Sequence, residues 1–218
     1  MLNFNDHFIV HPHDGDSPLE VRAISKAGAK IKLFYPTDYS NPREMQEAFY
    51  NYAMSLNQQG YNCYTPMNPI RTEFKASSGK GTTKDGIAKR TKVMVDLDRR
   101  SAESKKHPAT DAELERANEL IERIADHVVE LGWPRPLKVM SGNGYHLYFA
   151  LEELDNSDES ELLIKEMLET LAELFNTEEF EIDTVVSDAN RITKIVGTVA
   201  RKGTETPHRP YRTVEFIK

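Results

Sequence analysis

The sequence contains a single cysteine, Cys63, among 218 residues. One thiol excludes an intramolecular disulfide and a zinc site built from several cysteines. Long apolar runs are also absent, because stretches such as YHLYFAL at 145–151 are far shorter than the ~18 residues that a membrane-spanning helix requires. The first ten residues, MLNFNDHFIV, lack the basic segment followed by an apolar segment that marks a secretory signal. These absences predict a cytoplasmic protein without a membrane partner.

Basic residues are fewer than acidic residues, and they are unevenly distributed along the chain. The chain has 28 Lys and Arg against 35 Asp and Glu, a formal net charge of −7. This excess of acids excludes a uniformly basic surface for nucleic acid. The bases are concentrated in two stretches, residues 71–92 and 190–212. Two local basic stretches on an acidic protein predict a polyanion held at one place, although a solvated loop explains either stretch alone equally well.

Strand and helix patterns alternate along the chain. Three strands are predicted near the N-terminus, in HFIVH, LEVRAIS and KIKLFYP. A helix is predicted to follow Asn41, its N-cap, to begin at Pro42 and to stop at Gly60. After a further strand in YNCYTPMNPI, residues 71–90 are rich in Gly, Lys, Ser and Thr and are predicted to form a long flexible loop.

The second half contains the clearest helix pattern, TDAELERANELIERIADHVVELGW, which opens with a capping box of Thr110 and Glu113. A second helix is predicted in SDESELLIKEMLETLAELF, and short strands in PLKVM, YHLYFAL, FEIDTVV, KIVGTVA and YRTVEFI. From residue 91 onward the order is strand–helix–strand–strand–helix–strand. This order is typical of a split βαβ, ferredoxin-like unit.

The stretch KVMVDLDRR, residues 92–100, predicts a strand that carries two aspartates two residues apart. Side chains alternate along a strand, so Asp96 and Asp98 project from the same face. Neighbouring carboxylates repel unless a cation lies between them or one of them keeps a proton. The pair therefore indicates a divalent metal site, a solvated strand end, or ion pairs with the two arginines that follow.

The stretch SGNGYHLYF predicts two strands joined by a Gly-Asn-Gly turn, with Ser141 before the turn and His146 after it. Glycines let a backbone approach a ligand closely and leave its amides free to face an anion. The pattern favours a phosphate cradle in which His146 donates to a phosphate oxygen. The alternative is a tight hairpin whose histidine packs against Tyr148.

A third stretch, EIDTVVSDANRITKIVGTVARKG, offers another carboxylate and a cluster of bases. Asp183 on a predicted strand is the candidate third carboxylate, and Asp188 is the alternative. The bases that follow are Arg191, Lys194, Arg201 and Lys202, and then His208 and Arg209. Three carboxylates, a Gly-rich turn and a basic cluster are the groups needed for nucleotidyl transfer with two divalent ions.

In this order and spacing, VDLD, SGNGYH and EID resemble the motifs of the archaeo-eukaryotic primase superfamily, in its primase-polymerase (prim-pol) branch. NPI at 68–70, NRITKIVGTVARKG and HRPYR are also similar to segments of phage, plasmid and CRISPR-associated members, so the resemblance spans nearly the whole chain. It implies an α+β fold and one catalytic domain over residues 1–218. Such a domain consists of an N-terminal αβ module packed on an RRM-like module, with the active site between them. Here the αβ module would extend to about residue 90 and include the basic loop 71–90, and the RRM-like module would cover residues 91–218.

The resemblance also implies roles for the matching residues. Asp96, Asp98 and Asp183 would be the catalytic acids that bind two Mg²⁺ or Mn²⁺ ions, and His146 would bind the triphosphate of the incoming nucleotide. The other expected nucleotide-binding residues are Ser141, Asn143, Gly144, Arg191, Lys194, Arg201, Lys202 and His208. The expected nucleic-acid contacts in the basic loop are Arg71, Lys75, Lys80 and Lys84.

The implied function is template-dependent nucleotidyl transfer by a DNA primase or DNA polymerase. Its expected partners are single-stranded or primed DNA, dNTPs or NTPs, and a helicase or CRISPR adaptation proteins. One alternative is a catalytically inactive RRM-like module that binds nucleic acid, but such modules expose aromatic residues where this chain carries Asp96 and Asp98. A metal-dependent glycosyltransferase with a DxD motif is the other alternative, and it leaves the His146 turn and the basic tail unexplained.

Overall fold

A computed structural model describes residues 2–77 and 79–218. Within these ranges the fold is mixed α+β, with four α-helices and eleven strands in three sheets. The helices are α1 (Leu2–Val10), α2 (Pro42–Gln58), α3 (Asp111–Glu130) and α4 (Asp158–Phe175). The strands are β1 (Leu19–Ser25), β2 (Gly28–Phe34), β3 (Asn62–Pro66), β4 (Lys89–Arg99), β5 (Leu137–Met140), β6 (Tyr145–Asp155), β7 (Phe180–Ile182), β8 (Ile192–Lys194), β9 (Val199–Ala200), β10 (Arg212–Thr213) and β11 (Glu215–Ile217).

The chain forms two compact units. The first contains the chain up to Thr91 together with two later segments, Glu152–Asn156 and Asp188–Thr198. The second consists of Lys92–Leu151, Ser157–Ser187 and Val199–Lys218.

The first unit is built on a sheet with the order β2-β1-β3-β8. The predicted strands LEVRAIS and KIKLFYP are confirmed as an antiparallel hairpin in which Leu19 lies opposite Phe34. The predicted helix is confirmed as α2, where the Asn41 side chain accepts a hydrogen bond from the Glu44 amide and Pro42 is the first helical residue. Local capping signals therefore place this helix correctly.

The predicted strand HFIVH is wrong, because these residues belong to α1 and its end. Phe4, His7 and Phe8 have helical spacing, and the helix buries His7 with its ring stacked 5.6 Å from that of Phe49. The Ile-Val pair favours a strand locally. Packing of one apolar helix face against α2 overrides that preference.

The second unit contains a sheet with the order β11-β5-β6-β4-β7. Its elements follow the predicted order β4-α3-β5-β6-α4-β7. The predicted capping box is confirmed, since the Thr110 hydroxyl accepts from the Glu113 amide and the Glu113 carboxylate accepts from the Thr110 amide. The apolar residues that the two helices bury are Leu114, Ala117, Leu120, Ile121, Ile124, Ala125, Val128, Ile164, Leu168, Leu171 and Ala172.

Three predicted strands differ from the structure. YRTVEFI is divided at Val214 into β10 and β11, which belong to different sheets, and the other two are shorter than expected. KIVGTVA is interrupted at Gly197, whose φ of +92° lies in the left-handed region, and a Cβ there would overlap the Tyr50 hydroxyl. The chain therefore leaves one sheet after β8 and enters another at β9. FEIDTVV stops at Ile182 because the Asp183 carboxylate accepts from the Val185 amide and a 3-10 turn follows.

None of the helices in the described ranges has the length and apolar character needed to cross a membrane.

Candidate active site

The two aspartates of VDLD lie on the more open face of β4. Val95 and Leu97, which project from the opposite face, have no exposed surface. The side chains of Asp96 and Asp98 are 23% and 34% exposed. Because side chains alternate along a strand, both carboxylates lie on the face that is partly exposed to solvent.

The neighbouring strand β7 and the residue that follows it bring two more carboxylates to β4. Asp98 lies directly opposite Glu181, and the Asp183 amide donates to the carbonyl oxygen of Asp96 at 2.9 Å. Directly opposed residues of antiparallel strands project from the same face, with Cβ atoms about 5 Å apart. Four acidic residues therefore occupy adjacent positions of one sheet surface. Glu181 was not predicted, although its i, i+2 spacing to Asp183 repeats that of the first pair.

This concentration of acids changes the titration of Asp98. Burial raises the pKa of Asp98 above its usual range, and the Asp96 charge raises the pKa further. The charges of Lys202 and Lys105 act in the opposite direction, as does that of His146 when its ring is protonated. The ionised form of Asp98 is thus unfavourable without a compensating cation.

Lys105 provides such a cation from the loop after β4. Its ammonium lies 2.8 Å from Glu181 Oε1 and 3.7 Å from Asp98 Oδ2. Of the two arginines that follow the aspartates, Arg99 instead pairs with Glu113 at 3.0 Å. Arg100 lies 3.5 Å from Glu181.

His146 lies between the glycine turn and the carboxylates. Its Nδ1 is 2.9 Å from the Tyr148 hydroxyl, and its Nε2 is 3.4 Å from Asp96 Oδ1. The residue is buried, with 6% of its surface exposed. The contact with Tyr148 expected of a hairpin histidine is present, and the second nitrogen of the ring still faces the candidate metal ligands.

The Gly-Asn-Gly turn packs closely on its surroundings. Gly142 has a φ of +94°, and a Cβ on Gly144 would overlap the carbonyl oxygen of Leu97. The Ser141 amide donates to the carbonyl oxygen of Gly144 at 2.9 Å, and Asn143 Oδ1 accepts from the Ala109 amide at 2.9 Å. The side-chain oxygen of Asn143 therefore holds the loop before α3. Nucleotide binding by Ser141, Asn143 and Gly144 stays a prediction.

The predicted nucleotide-binding bases belong to different units. Arg191 and Lys194 lie in the first unit, where Arg191 pairs at 2.8 Å with Asp188, the alternative third carboxylate.

In the second unit Arg201 donates to the carbonyl oxygen of Val199 at 3.2 Å. Lys202 is close enough to Asp98 to lower the pKa of that carboxyl, and His208 is exposed. Lys202 is therefore a base of this tail that lies near the acids.

The basic loop at 71–90 presents its predicted nucleic-acid contacts outward. Arg71, Lys75 and Lys80 are exposed and Lys84 is half-buried. The Lys75 ammonium lies over the Tyr35 ring, 3.9 Å from its centroid. These charges are accessible to a polyanion.

The same loop is anchored at Thr82, which is buried. The fully buried Glu20 accepts hydrogen bonds from the Thr82 amide at 2.5 Å and from the Thr82 hydroxyl at 2.7 Å. Arg22 and Asn190 both donate to the carbonyl oxygen of Thr82. The loop predicted as flexible is therefore tied to β1 near its middle.

The acidic surface has the donor chemistry for a divalent cation, since Mg²⁺ and Mn²⁺ are bound through carboxylate oxygens. Within residues 2–77 and 79–218, however, no three His, Cys, Asp or Glu side chains converge as a metal-binding group. The carboxylates instead contact other partners, such as Lys105 at Asp98 and the Val185 amide at Asp183. The carboxylate oxygens are suitable ligands for such an ion. The side chains of these acids would have to rotate before several of them could bind it together.

No family model and no curated protein matches the chain. Its structure is similar to the primase-polymerase domain of cyanophage S-2L, with a TM-score of 0.55 and 12% identity over 99% of this chain and 88% of that domain. It is also similar to the polymerase domain of Mycobacterium tuberculosis ligase D, solved in complex with DNA, with a TM-score of 0.51 and 14% identity over 97% and 79% of the two chains. The predicted resemblance to primase-polymerase domains is confirmed at the level of the fold.

Proposed function

We propose that this chain is a template-dependent nucleotidyltransferase that acts as a DNA primase or DNA polymerase. One observation carries the proposal: in a primase-polymerase fold, Asp96 and Asp98 lie on one face of β4, and Asp183, the first residue after the neighbouring strand β7, donates its amide to the carbonyl oxygen of Asp96. Acidic residues in this arrangement on an otherwise well-packed sheet are costly to keep unless they serve a cation.

The second unit supports the interpretation as an RRM-like module. Its strand–helix–strand–strand–helix–strand order and its sheet order β5-β6-β4-β7 are those of a split βαβ unit, to which β11 is added at one edge. Asp96 and Asp98 lie on β4, and Asp183 directly follows β7, which is adjacent to β4 in that sheet. The proposed active site is therefore assigned to residues of this unit.

Asp96, Asp98 and Asp183 would hold two Mg²⁺ or Mn²⁺ ions. When bound, such ions neutralise triphosphate charge and activate the attacking hydroxyl group. His146 would orient the triphosphate, because its buried ring is held by Tyr148 and faces Asp96. Lys202 would contribute positive charge at the same place.

DNA is the proposed template. The exposed bases Arg71, Lys75 and Lys80 supply phosphate contacts that do not depend on sequence. The similar polymerase domain of ligase D was solved with DNA bound. A helicase or CRISPR adaptation proteins as further partners stay predictions from the sequence resemblance.

Nucleotide incorporation tests the proposal directly. The wild type is supplied with primed and unprimed single-stranded DNA, dNTPs or NTPs, and Mg²⁺ or Mn²⁺. We expect divalent-dependent product from the wild type and a loss of at least about a hundredfold in Asp96→Asn and Asp98→Asn, since each removes a metal ligand.

The matched control is Asp126→Asn, which removes an exposed acid of α3 that pairs with Arg135. It should retain wild-type incorporation. Binding of single-stranded DNA without incorporation under every condition would favour the inactive RRM-like module instead.

A further inference from the structure

Lys105 joins two carboxylates of the proposed active site. Its ammonium contacts Glu181 at 2.8 Å and lies 3.7 Å from Asp98, and these two acids are directly opposed across β4 and β7. Without a cation, two carboxylates in such a cross-strand pair repel. One ammonium therefore relieves the repulsion between these two carboxylates.

The position of Lys105 is set by the fold of its loop. The Lys105 amide donates to the carbonyl oxygen of Ser101 at 2.9 Å, within a 3-10 turn over Ser104–Lys106. The buried guanidinium of Arg99 donates to the carbonyl oxygen of His107 at 2.6 Å and fixes the end of the turn. The backbone under Lys105 is thus held at the acidic surface, whereas its side chain is 33% exposed and can swing away.

We infer that Lys105 is a place-holding cation. In the metal-free protein its ammonium lies beside the Asp98 carboxylate that would bind the metal, and it is displaced when a divalent ion binds. The inference rests on the proposed function. An ammonium and a divalent cation compete for the same carboxylate oxygens and repel each other, so both do not remain at Asp98. Lys105 accordingly stabilises the metal-free protein and weakens its affinity for the metal.

The adjacent lysine provides a matched control. Lys106 has the same charge and lies in the same turn, but it pairs with Glu103 at 2.7 Å, and both side chains are about two-thirds exposed. Lys106→Met therefore removes an identical charge one residue away without freeing Asp98 or Glu181. Lys105→Arg keeps the cation at the original position.

The test is a titration of Mn²⁺ into each protein without nucleotide or DNA, followed by calorimetry or by electron paramagnetic resonance of the free ion. We expect Lys105→Met to bind Mn²⁺ roughly threefold to tenfold more tightly than the wild type, the range expected from removing partly exposed ion pairs and one repelling charge. Lys105→Arg and Lys106→Met should stay within about twofold of the wild type. In EDTA the Lys105→Met protein should unfold at a lower temperature than the wild type, and Mn²⁺ should reduce that difference.

The outcomes separate this inference from the proposed function. Equal or weaker Mn²⁺ binding by Lys105→Met, with measurable binding by the wild type, overturns the place-holding role and leaves the metal site intact. Absence of Mn²⁺ binding in all four proteins overturns both. Tighter binding by Lys105→Met alone supports the inference, even if the wild type binds too weakly to measure.

Discussion

His146 is the residue whose two ring nitrogens connect the glycine turn to the acids. One nitrogen contacts the Tyr148 hydroxyl at 2.9 Å and the other lies 3.4 Å from Asp96. With the hydroxyl as donor to Nδ1, Nε2 carries the proton that faces the site. The same proton would donate to a phosphate oxygen once a nucleotide is bound.

His146→Ala should therefore weaken nucleotide binding and spare template binding. The lost hydrogen bond to a charged group corresponds to about 1.5–3 kcal/mol, or roughly a tenfold to hundredfold loss of affinity. A dNTP titration with primed template present measures the effect. His107→Ala is the control, since His107 is 47% exposed and lies near Glu103. If His146→Ala binds nucleotide as tightly as the wild type, the histidine is a hairpin residue without a role in the phosphate cradle.

Lys92 lies on the same face of β4 as the two aspartates, four residues before Asp96. Burial lowers the pKa of Lys92 to about 7. The unfolded chain protonates this group up to a pH of ~10.4. Between these two values the unfolded state binds more protons than the folded state, so this residue makes stability rise with pH.

Replacing Lys92 by Met should stabilise the protein at pH 6, on the order of a few kcal/mol, because a pKa difference of one unit corresponds to about 1.4 kcal/mol. This difference in the free energy of unfolding should shrink as the pH rises from 7 towards 10, because Lys92 of the folded wild type is then neutral and no charge is buried. Urea unfolding of both proteins across this range measures the difference. Lys165→Met, an exposed lysine of α4, should show no such trend, and a pH-independent difference for Lys92→Met would contradict the assignment.

At the scale of elements, the basic loop combines exposed charge with a backbone that is held in place at Gly81 and Thr82. Glu20 on β1 is fully buried and holds both the amide and the hydroxyl of Thr82. Arg22 also packs so tightly on Gly81 that a Cβ there would overlap its guanidinium. A loop ordered before binding loses less conformational entropy on contact with DNA than a free one.

Substituting Gln for Lys75, Lys80 and Lys84 together should weaken DNA binding equally for all sequences. The slope of log affinity against log salt should flatten by up to ~0.7 for each lost contact to single-stranded DNA. Fluorescence anisotropy at several salt concentrations gives that slope. The control replaces the three lysines of the β1–β2 hairpin, Lys26, Lys30 and Lys32, which removes the same charge from the same unit. An unchanged slope in the loop variant would mean that these lysines are only solvated.

For the molecule as a whole, metal binding and folding are linked. A ligand that binds only the folded state stabilises it by about 2.7 kcal/mol at a concentration of a hundred times its dissociation constant. The proposed site gathers carboxylates in a chain whose net charge is already −7. Binding of a divalent cation to these carboxylates should therefore raise the unfolding temperature of the protein.

Mn²⁺ should raise the unfolding temperature of the wild type and have little effect on the Asp96→Asn/Asp98→Asn double variant. In EDTA the double variant should be at least as stable as the wild type, because the repulsion between the two carboxylates is gone. Differential scanning calorimetry measures both midpoints, and Asp126→Asn serves as the control. Equal stabilisation of the double variant and the wild type by Mn²⁺ would place the ion elsewhere.

The sequence by itself determined the features that depend on local periodicity and on capping. Asn41 with Pro42 and Thr110 with Glu113 placed the starts of α2 and α3, because the capping partners lie within four residues. The i, i+2 spacing of Asp96 and Asp98 determined their shared face, because side chains alternate along any strand. The order of the motifs was sufficient to indicate the primase-polymerase fold that the solved structures share.

Tertiary structure alone decided the features that depend on contacts between distant residues. Glu181 became part of the acidic surface through the register of β7 on β4, and Lys105 reached Asp98 because the turn that carries it is held near the sheet. The helical state of HFIVH depends on burial against Phe49, and the break in KIVGTVA depends on the Tyr50 hydroxyl beside Gly197. Strand register and long-range packing depend on contacts across the whole chain. Residue patterns within a window of about ten residues therefore do not predict them.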